Sequence, residues 1–278
     1  MKVSRLALIF LALLAAKAFS VSLPVLQFMP DNELYMDDKI EEPANVSEED
    51  FDRVIDEVAA LYSGMIKESH KAHLIVSRSW DDPTVNAYAN RSGNVWQIHL
   101  FGGFARRKEI SVDSFQLVIC HEMGHHLAGF PFSQWASNEG NSDYFSTLSC
   151  ARDLWMKDKA KNALAAKKIP AYPKKMCDDA WKLKDERHLC YRAALAGKSL
   201  ADLLSAGAAK YESPDQSVVR VTNNAHPNGQ CRLDTYIAGA VCKAKFDPRV
   251  LIKSEAEARK YSCFGEAQRP KCWFKPSK

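Results

Sequence analysis

The sequence predicts an α+β fold, in which one amphipathic helix and a small antiparallel sheet precede a mainly helical C-terminal part. Apolar residues recur with helical spacing after Ser47, and the stretches "HLIVSRS" and "VNAYANRSGNVWQIHLFGG" are strand-like. Helical patterns then dominate from Val112 onward. Hydrophobic residues make up 46% of the 278-residue chain, which is enough to bury one substantial core.

The elements follow from local patterns in chain order. Ser47 is a predicted helix cap, with Asp50 three residues later. The apolar face of that first helix comprises Phe51, Val54, Ile55, Val58, Leu61 and Tyr62. Two strands joined by a turn at residues 91–94 come next, then a helix from about Val112 to Ala128. Further helices are predicted at about Glu139 to Trp155, Asp178 to Ala196 and Cys231 to Val241.

The first eighteen residues have the pattern of a secretory signal peptide. Lys2 and Arg5 precede an apolar run over residues 6–16, and a small-residue triplet predicts cleavage near Ala18. The run is too short to span a bilayer, although an uncleaved anchor is the alternative. We therefore expect a periplasmic or secreted protein.

Charge divides the rest of the chain into an acidic leader, residues 19–50, and a basic domain, residues 51–278. Between Asp31 and Glu57 there are twelve acidic residues and two basic ones, although the formal net charge of the whole chain is +4. The leader is expected to be solvated and to fold back in part on the domain. The alternative is peripheral contact with an anionic envelope surface. Nothing resembles a nucleic-acid-binding module, so no nucleic-acid partner is expected.

Eight cysteines in an exported chain favour disulfides over thiolate metal sites, and no pair has the spacing of a zinc knuckle. The pairing stays open among 105 combinations. Cys263 and Cys272 flank a turn-rich loop that could close locally. Cys231 and Cys242, about 16 Å apart on one predicted helix, need other partners.

The stretch "QLVICHEMGHHLAGF" places ionisable groups in an apolar helix, which is costly unless something binds them. His121 and His125 are four residues apart, so both can reach one ion from the same face of a helix. Imidazole nitrogens suit zinc, and Glu122 is placed to take a proton from a water that the metal activates. His126 points away from this face and is expected to be hydrogen-bonded elsewhere.

A third ligand is expected from "NEGNSDYFS", in which Glu139 comes fourteen residues after His125. Glu139 and Asp143 are four apart and share a helix face. Glu139 could bind the metal while Asp143 accepts the ring N–H of a ligating histidine. An ordinary solvated helix face is the alternative.

These motifs resemble those of gluzincin zinc metallopeptidases. "NEGNSD" is similar to their NExxSD motif, and the order of the Asn-Ala strand, the turn and the HExxH helix resembles the HtpX and CAAX-prenyl-endopeptidase type, in a soluble periplasmic form. "HPNGQCRL" resembles a late motif of that type. The resemblance implies a zincin-like fold and one zinc ion per chain held by His121, His125 and Glu139. It also implies that Glu122 is the general base and acid, that Asp143 supports a ligand, and that His226 and Arg232 lie at the rim of the active site.

The expected function is therefore an exported zinc endopeptidase that hydrolyses extended or unfolded protein segments, in envelope protein quality control. The substrate is expected to add to a free edge of the second hairpin strand, against Val95, Gln97 and His99. His226 or Arg232 would stabilise the oxyanion, or His226 would fill the fourth zinc position at rest. The alternative from another class is a zinc-stabilised chaperone-like or binding module without proteolytic activity.

Overall fold

The computed structural model describes residues 25–36 and 44–277. The predicted signal peptide lies outside the described residues, as does part of the acidic leader. The fold is α+β, as predicted. Its strands are β1 (Leu26–Gln27), β2 (His73–Ser79), β3 (Ala87–Ser92), β4 (Val95–Phe101), β5 (Phe132–Ser133) and β6 (Ala136–Ser137). Its α-helices are α1 (Glu48–Met65), α2 (Gly102–Ala105), α3 (Val112–Leu127), α4 (Glu139–Phe145), α5 (Ala151–Trp155), α6 (Lys159–Ala165), α7 (Ala171–Ala180), α8 (Lys184–Ser205), α9 (Gly229–Val241) and α10 (Glu255–Ala258).

Helix α1 begins where the capping pattern predicts. The Ser47 hydroxyl accepts a hydrogen bond from the Asp50 backbone N–H, which satisfies one of the free donors of the first turn. Five of the six predicted face residues are buried, and Leu61 lies outside the core at 37% exposure. A π-helical turn, Ile66–His70, extends the helix and ends at Lys71 in the left-handed region.

The main sheet is mixed, with strand order β1-β3-β4-β2, which corrects the prediction of a purely antiparallel sheet. β3 and β4 form the predicted antiparallel hairpin, whereas β2 pairs with β4 in parallel. After β2 the chain passes β4's position and forms β3 on the other side of it, antiparallel to β4. The hairpin turn then brings β4 back between β3 and β2, where it runs parallel to β2. Alternating side chains of β4 are buried at Trp96, Ile98 and Leu100.

Strand β4 is therefore central, and the prediction that substrate adds to its free edge is wrong. Val95 is paired with His73 and Ser92, Gln97 with Ile75 and Asn90, and His99 with Ser77 and Tyr88. With neighbours on both sides, these residues have no free main-chain groups for a further strand.

Helix α3 is confirmed and is buried over most of its length. It begins with a capping box between Ser111 and Ser114, and every residue from Ser114 to Leu127 is buried. It crosses α4 closely at Gly124, where a Cβ would lie 2.8 Å from the Ser142 Cα. Glycine at this position brings the two helices that carry the candidate ligands into contact.

The C-terminal part is mainly helical, as predicted, with two differences in detail. The predicted helix 139–155 consists of α4, a π-helical turn at Ser146–Cys150 and α5. The helix predicted from Asp178 divides into α7 and α8, because α7 ends at Trp181 in an extended conformation. Among residues 25–36 and 44–277, no helix is both long and apolar enough to cross a bilayer.

All eight cysteines form disulfides: Cys120–Cys150, Cys177–Cys190, Cys231–Cys272 and Cys242–Cys263. The expectation that Cys231 and Cys242 need partners elsewhere is confirmed. The expectation that Cys263 and Cys272 close a local loop is wrong. Cys272 is bonded to Cys231 and Cys263 to Cys242, at the two ends of α9. Four disulfides are typical of an oxidising compartment, so the protein is secreted or extracytoplasmic.

We predict that removing the Cys120–Cys150 disulfide destabilises the crossing of α3 and the α4–α5 segment. Replacing both cysteines by alanine should lower the free energy of unfolding by about 2–5 kcal/mol, because the unfolded chain regains the freedom of a long loop. Urea unfolding of the double variant measures this. The matched control is the Cys177–Cys190 pair, whose 13-residue separation closes a shorter loop than the 30 residues of Cys120–Cys150. A double variant as stable as the wild type would contradict the prediction.

Candidate metal centre

Two imidazoles and a carboxylate converge at the crossing of α3 and α4. His121 Nε2 lies 3.1 Å from His125 Nε2, and the Glu139 carboxylate lies 3.2 Å from the first and 3.6 Å from the second. Tetrahedral ligands about 2.0–2.1 Å from one ion are about 3.3–3.4 Å from each other. The three groups are thus spaced as the ligands of a single small cation would be.

The spacing in the sequence explains why the two imidazoles meet. His121 and His125 are one helical turn apart on α3. Glu139 is the first residue of α4, whose preceding cap, Asn138, accepts a hydrogen bond from the Asn141 backbone N–H. The cap holds the first turn of α4 in place, and the carboxylate then faces α3.

Glu122 is fully buried beside this cluster, and neither of its carboxylate oxygens has a hydrogen-bond partner. The ligand atoms of His121, Glu122 and His125 all lie within 4.8 Å of one another, so this group could hold a metal ion. Glu139 Oε2 is also without a hydrogen bond. Buried carboxylate oxygens are rarely left unsatisfied. A cation on Glu139, with a polar group such as water next to Glu122, would satisfy both residues.

Each ligand histidine is oriented by a second group. Asp143 Oδ1 accepts from His121 Nδ1 at 2.7 Å, as predicted, and the Ser137 carbonyl accepts from His125 Nδ1 at 2.8 Å. With both Nδ1 atoms occupied, both Nε2 atoms are directed into the site. Such partners fix the tautomer and orientation of a metal-binding histidine.

Arg232 lies behind the site rather than at its rim, which corrects the prediction. It is fully buried, and its guanidinium binds both oxygens of Asp143, at 2.7 and 2.8 Å. Tyr236 donates a further hydrogen bond to Asp143 at 2.7 Å. The helical spacing of Arg232 and Tyr236 on α9 brings both side chains to the same carboxylate. Arg232 therefore holds Asp143 in place, and its remaining nitrogen, Nη1, donates to the Phe28 carbonyl at 2.7 Å.

The pKa values of the two histidines diverge. Burial alone would lower the pKa of His121, but Asp143 and Glu139 raise it to about 9. Burial lowers the pKa of His125 to about 4. Burial would raise the pKa of Asp143, but the charges of Arg232 and His121 hold it well below its usual range. In the absence of metal, a proton on His121 thus provides positive charge between the carboxylates, and metal binding must displace it.

His126 is not part of the cluster, in agreement with the prediction. Arg91 Nε donates to its Nδ1 at 3.0 Å, and its Nε2 donates to the Gln97 carbonyl at 3.2 Å. The ring stacks on Trp96 with 5.1 Å between centroids. Burial lowers the pKa of His126 well below its usual value. It is a neutral histidine that joins α3 to the sheet.

His226 lies on the loop before α9 and is partly exposed. Its Nε2 is 3.6 Å from Glu139 Oε2 and donates to the Gln27 carbonyl at 2.7 Å. A nitrogen that donates its proton to a carbonyl cannot bind a cation with the same atom. In this structure His226 is therefore a hydrogen-bond donor next to the cluster, and not a fourth ligand.

Two residues without a predicted role contribute to the site, Tyr236 and Asn86. Tyr236 carries no motif of its own and is recognisable only from its contact with Asp143. Asn86 is the asparagine of the Asn-Ala pair that begins the strand, and its amide contacts the Met29 main chain. A second group, Asp215 with Cys231 and Cys272, has metal-like spacing, but its two sulfurs form a disulfide.

No model of a known protein family, no curated protein and no solved structure matches this chain.

We predict that Asp143→Asn weakens metal binding by about 10–100-fold, because the amide no longer fixes the tautomer of His121. The variant should also lose roughly 3–5 kcal/mol of stability, since Arg232 remains buried without its partner. Competition with a chromophoric chelator measures affinity, and urea unfolding measures stability. Asp153→Asn, which changes an exposed carboxylate on α5, is the matched control and should retain wild-type affinity. Equal affinities for the two variants would contradict the role of Asp143.

We also predict a pH-dependent gain in stability for Glu122→Gln in metal-free protein. Burial raises the pKa of Glu122 from 4.5 to about 8. The cost of ionising Glu122 in the folded chain is therefore absent below pH 4.5, grows as pH rises and is complete above about pH 8. Glutamine removes that cost, so at pH 9 the variant should exceed the wild type by roughly 3–5 kcal/mol.

Urea unfolding with excess chelator, at pH 4.5 and at pH 9, checks this expectation. The difference between variant and wild type should nearly vanish at the lower pH. A constant difference at both values would mean that Glu122 is solvated or paired in the folded chain.

Proposed function

We propose that the protein is a zinc-dependent endopeptidase with a zincin-like fold, related in mechanism to the gluzincins. It would hydrolyse peptide bonds in extended or unfolded protein segments outside the cytoplasm, in envelope protein quality control. The observation that supports this most directly is a buried, unpaired carboxylate, Glu122, beside three groups with the spacing of metal ligands.

The donor set supports zinc. Two imidazole nitrogens and one carboxylate oxygen form the ligand set of catalytic zinc sites that keep one position open. His121, His125 and Glu139 would hold the ion. When bound, the ion acts as a Lewis acid and lowers the pKa of a water to about 7.

Glu122 is the candidate general base and acid. Its carboxylate lies within 4.8 Å of the candidate ligand atoms of His121 and His125, where it can exchange a proton with a water at the site. It would take a proton from the attacking water and pass it to the nitrogen of the leaving amine. The absence of hydrogen bonds to its oxygens leaves both of them available for this transfer.

His226 is the candidate donor to the carbonyl oxygen that becomes negatively charged. Its Nε2 already donates to a peptide carbonyl, that of Gln27, while lying 3.6 Å from Glu139. Donors directed at a developing oxyanion contribute about 2.7–4 kcal/mol in comparable enzymes. Arg232 supports this chemistry indirectly, through Asp143 and His121.

The alternative is a zinc-stabilised binding or chaperone-like module. A structural site would have no use for a buried carboxylate that is neither a ligand nor hydrogen-bonded, and the cost of burying Glu122 favours the enzyme. Protein or peptide segments are the expected partners in either case.

We predict that Glu122→Gln and Glu139→Gln separate catalysis from metal binding. Glu122→Gln should keep one zinc ion per chain and lose about 10²–10⁴-fold or more of its casein hydrolysis, because it lacks the proton acceptor. Glu139→Gln should lose both metal and activity, since it lacks a charged ligand. Elemental analysis and a fluorescent casein assay, before and after chelation, measure the two properties.

If Glu122→Gln cleaves casein as fast as the wild type, the catalytic assignment is wrong. If the wild type binds zinc stoichiometrically and cleaves no unfolded protein, the binding-module alternative is correct.

A further inference from the structure

The N-terminal segment, defined here as residues 26–29, lies beside the candidate metal centre as an added strand. Leu26 and Gln27 pair antiparallel with Ala89 and Tyr88 at the edge of β3. The Phe28 backbone N–H continues the ladder by donating to the Ala87 carbonyl at 2.9 Å. This is how an extended peptide binds to the edge of a sheet.

Three polar side chains from different parts of the chain bind successive main-chain groups of this segment. His226 donates to the Gln27 carbonyl and Arg232 to the Phe28 carbonyl, each at 2.7 Å. The Asn86 carboxamide accepts from the Met29 N–H at 3.0 Å and donates to the Met29 carbonyl at 3.4 Å. Such contacts recognise the backbone of an extended peptide whatever its side chains.

The Phe28 side chain fixes which peptide bond lies at the site. It is fully buried, with its ring edge-to-face on His121 at 5.0 Å and the Arg232 guanidinium 4.2 Å from its centroid. His226 Nε2, which binds the Gln27 carbonyl, is only 3.6 Å from Glu139 Oε2. The Gln27 carbonyl is thus bound by a candidate oxyanion donor that itself lies next to a candidate metal ligand.

We propose that the N-terminal segment occupies the substrate channel as a built-in substrate, and that the Gln27–Phe28 peptide bond is the first bond that the protein hydrolyses. Until that bond is cut, the segment covers the edge of β3 and blocks external substrates. This inference rests on the proposed peptidase function and names its first substrate.

The chemistry is ordinary hydrolysis of one amide bond by one water. Glu122 takes a proton from the water, whose oxygen adds to the Gln27 carbonyl carbon. The C–N bond then breaks, and the proton on Glu122 passes to the Phe28 nitrogen. The second proton of the water passes from the new carboxyl group to the amine. The products are a chain ending at the Gln27 carboxylate and a chain beginning at the Phe28 ammonium group.

The test compares full-length wild type with Glu122→Gln, both loaded with zinc, by intact mass and N-terminal sequencing. The wild type should begin at Phe28, whereas Glu122→Gln should retain the bond. A wild type that hydrolyses casein but keeps the Gln27–Phe28 bond intact after prolonged incubation would overturn this inference and leave the peptidase function standing. A wild type that cleaves neither casein nor its own segment would overturn both.

A matched pair of variants tests the role of Phe28. Phe28→Ala should slow self-cleavage roughly tenfold or more, because the buried side chain that fixes the position of the segment along β3 is removed. Leu34→Ala alters an exposed side chain five residues beyond the end of the N-terminal segment, and this variant should cleave at the wild-type rate. Thermal unfolding verifies that both variants fold. A folded Phe28→Ala that cleaves the same bond at the wild-type rate would contradict the proposal.

Whether the N-terminal segment occupies the substrate channel is tested by an experiment that needs neither catalysis nor metal. In chelated, full-length Glu122→Gln, hydrogen–deuterium exchange at the Phe28 and Met29 amides should be much slower than in an unstructured peptide. The Phe28 amide donates a hydrogen bond to the Ala87 carbonyl, and the Met29 amide donates one to the Asn86 side chain. Exchange at the unstructured rate would show that the segment does not occupy the channel.

Discussion

The ion pair between Asp143 and Arg232 is the constraint on which the rest of the site depends. Both side chains are fully buried, and each would be very costly to bury alone. Asp143 also accepts from His121, so the pair connects α9 to the helix that carries two candidate ligands. Any movement of α9 relative to α3 would leave a charge unpaired, and the imidazole is therefore held rigidly.

The same guanidinium has a second hydrogen-bonded partner, in the N-terminal segment. Arg232 donates to the Phe28 carbonyl as well as to Asp143. The Arg232 guanidinium therefore positions both a candidate metal ligand, through Asp143, and the peptide segment next to it. When one rigid group holds both the peptide and the candidate metal ligand, their relative position is fixed in advance, as catalysis requires.

Disulfides stabilise the elements that meet at this point. Cys120 precedes His121 directly, and its bond to Cys150 holds α3 against the end of the π-helical turn after α4. The two bonds from Cys231 and Cys242 attach the ends of α9 to the C-terminal residues. The helices that carry the ion pair and the ligands are thus cross-linked on more than one side, which suits a protein outside the reducing cytoplasm.

The sequence by itself determined the α+β class, the helix that carries His121, Glu122 and His125, and the pairing of Asp143 with a ligand histidine. These features depend on spacings of three or four residues, which fix the face of a helix. Only the tertiary structure decided the mixed strand order, the disulfide pairing, the burial of Arg232 and the position of the N-terminal segment. The contacts of Gln27 and Phe28 with His226 and Arg232 join residues 199 and 204 positions apart. No local periodicity encodes such a distance, because it is set by how whole helices and strands pack around one core.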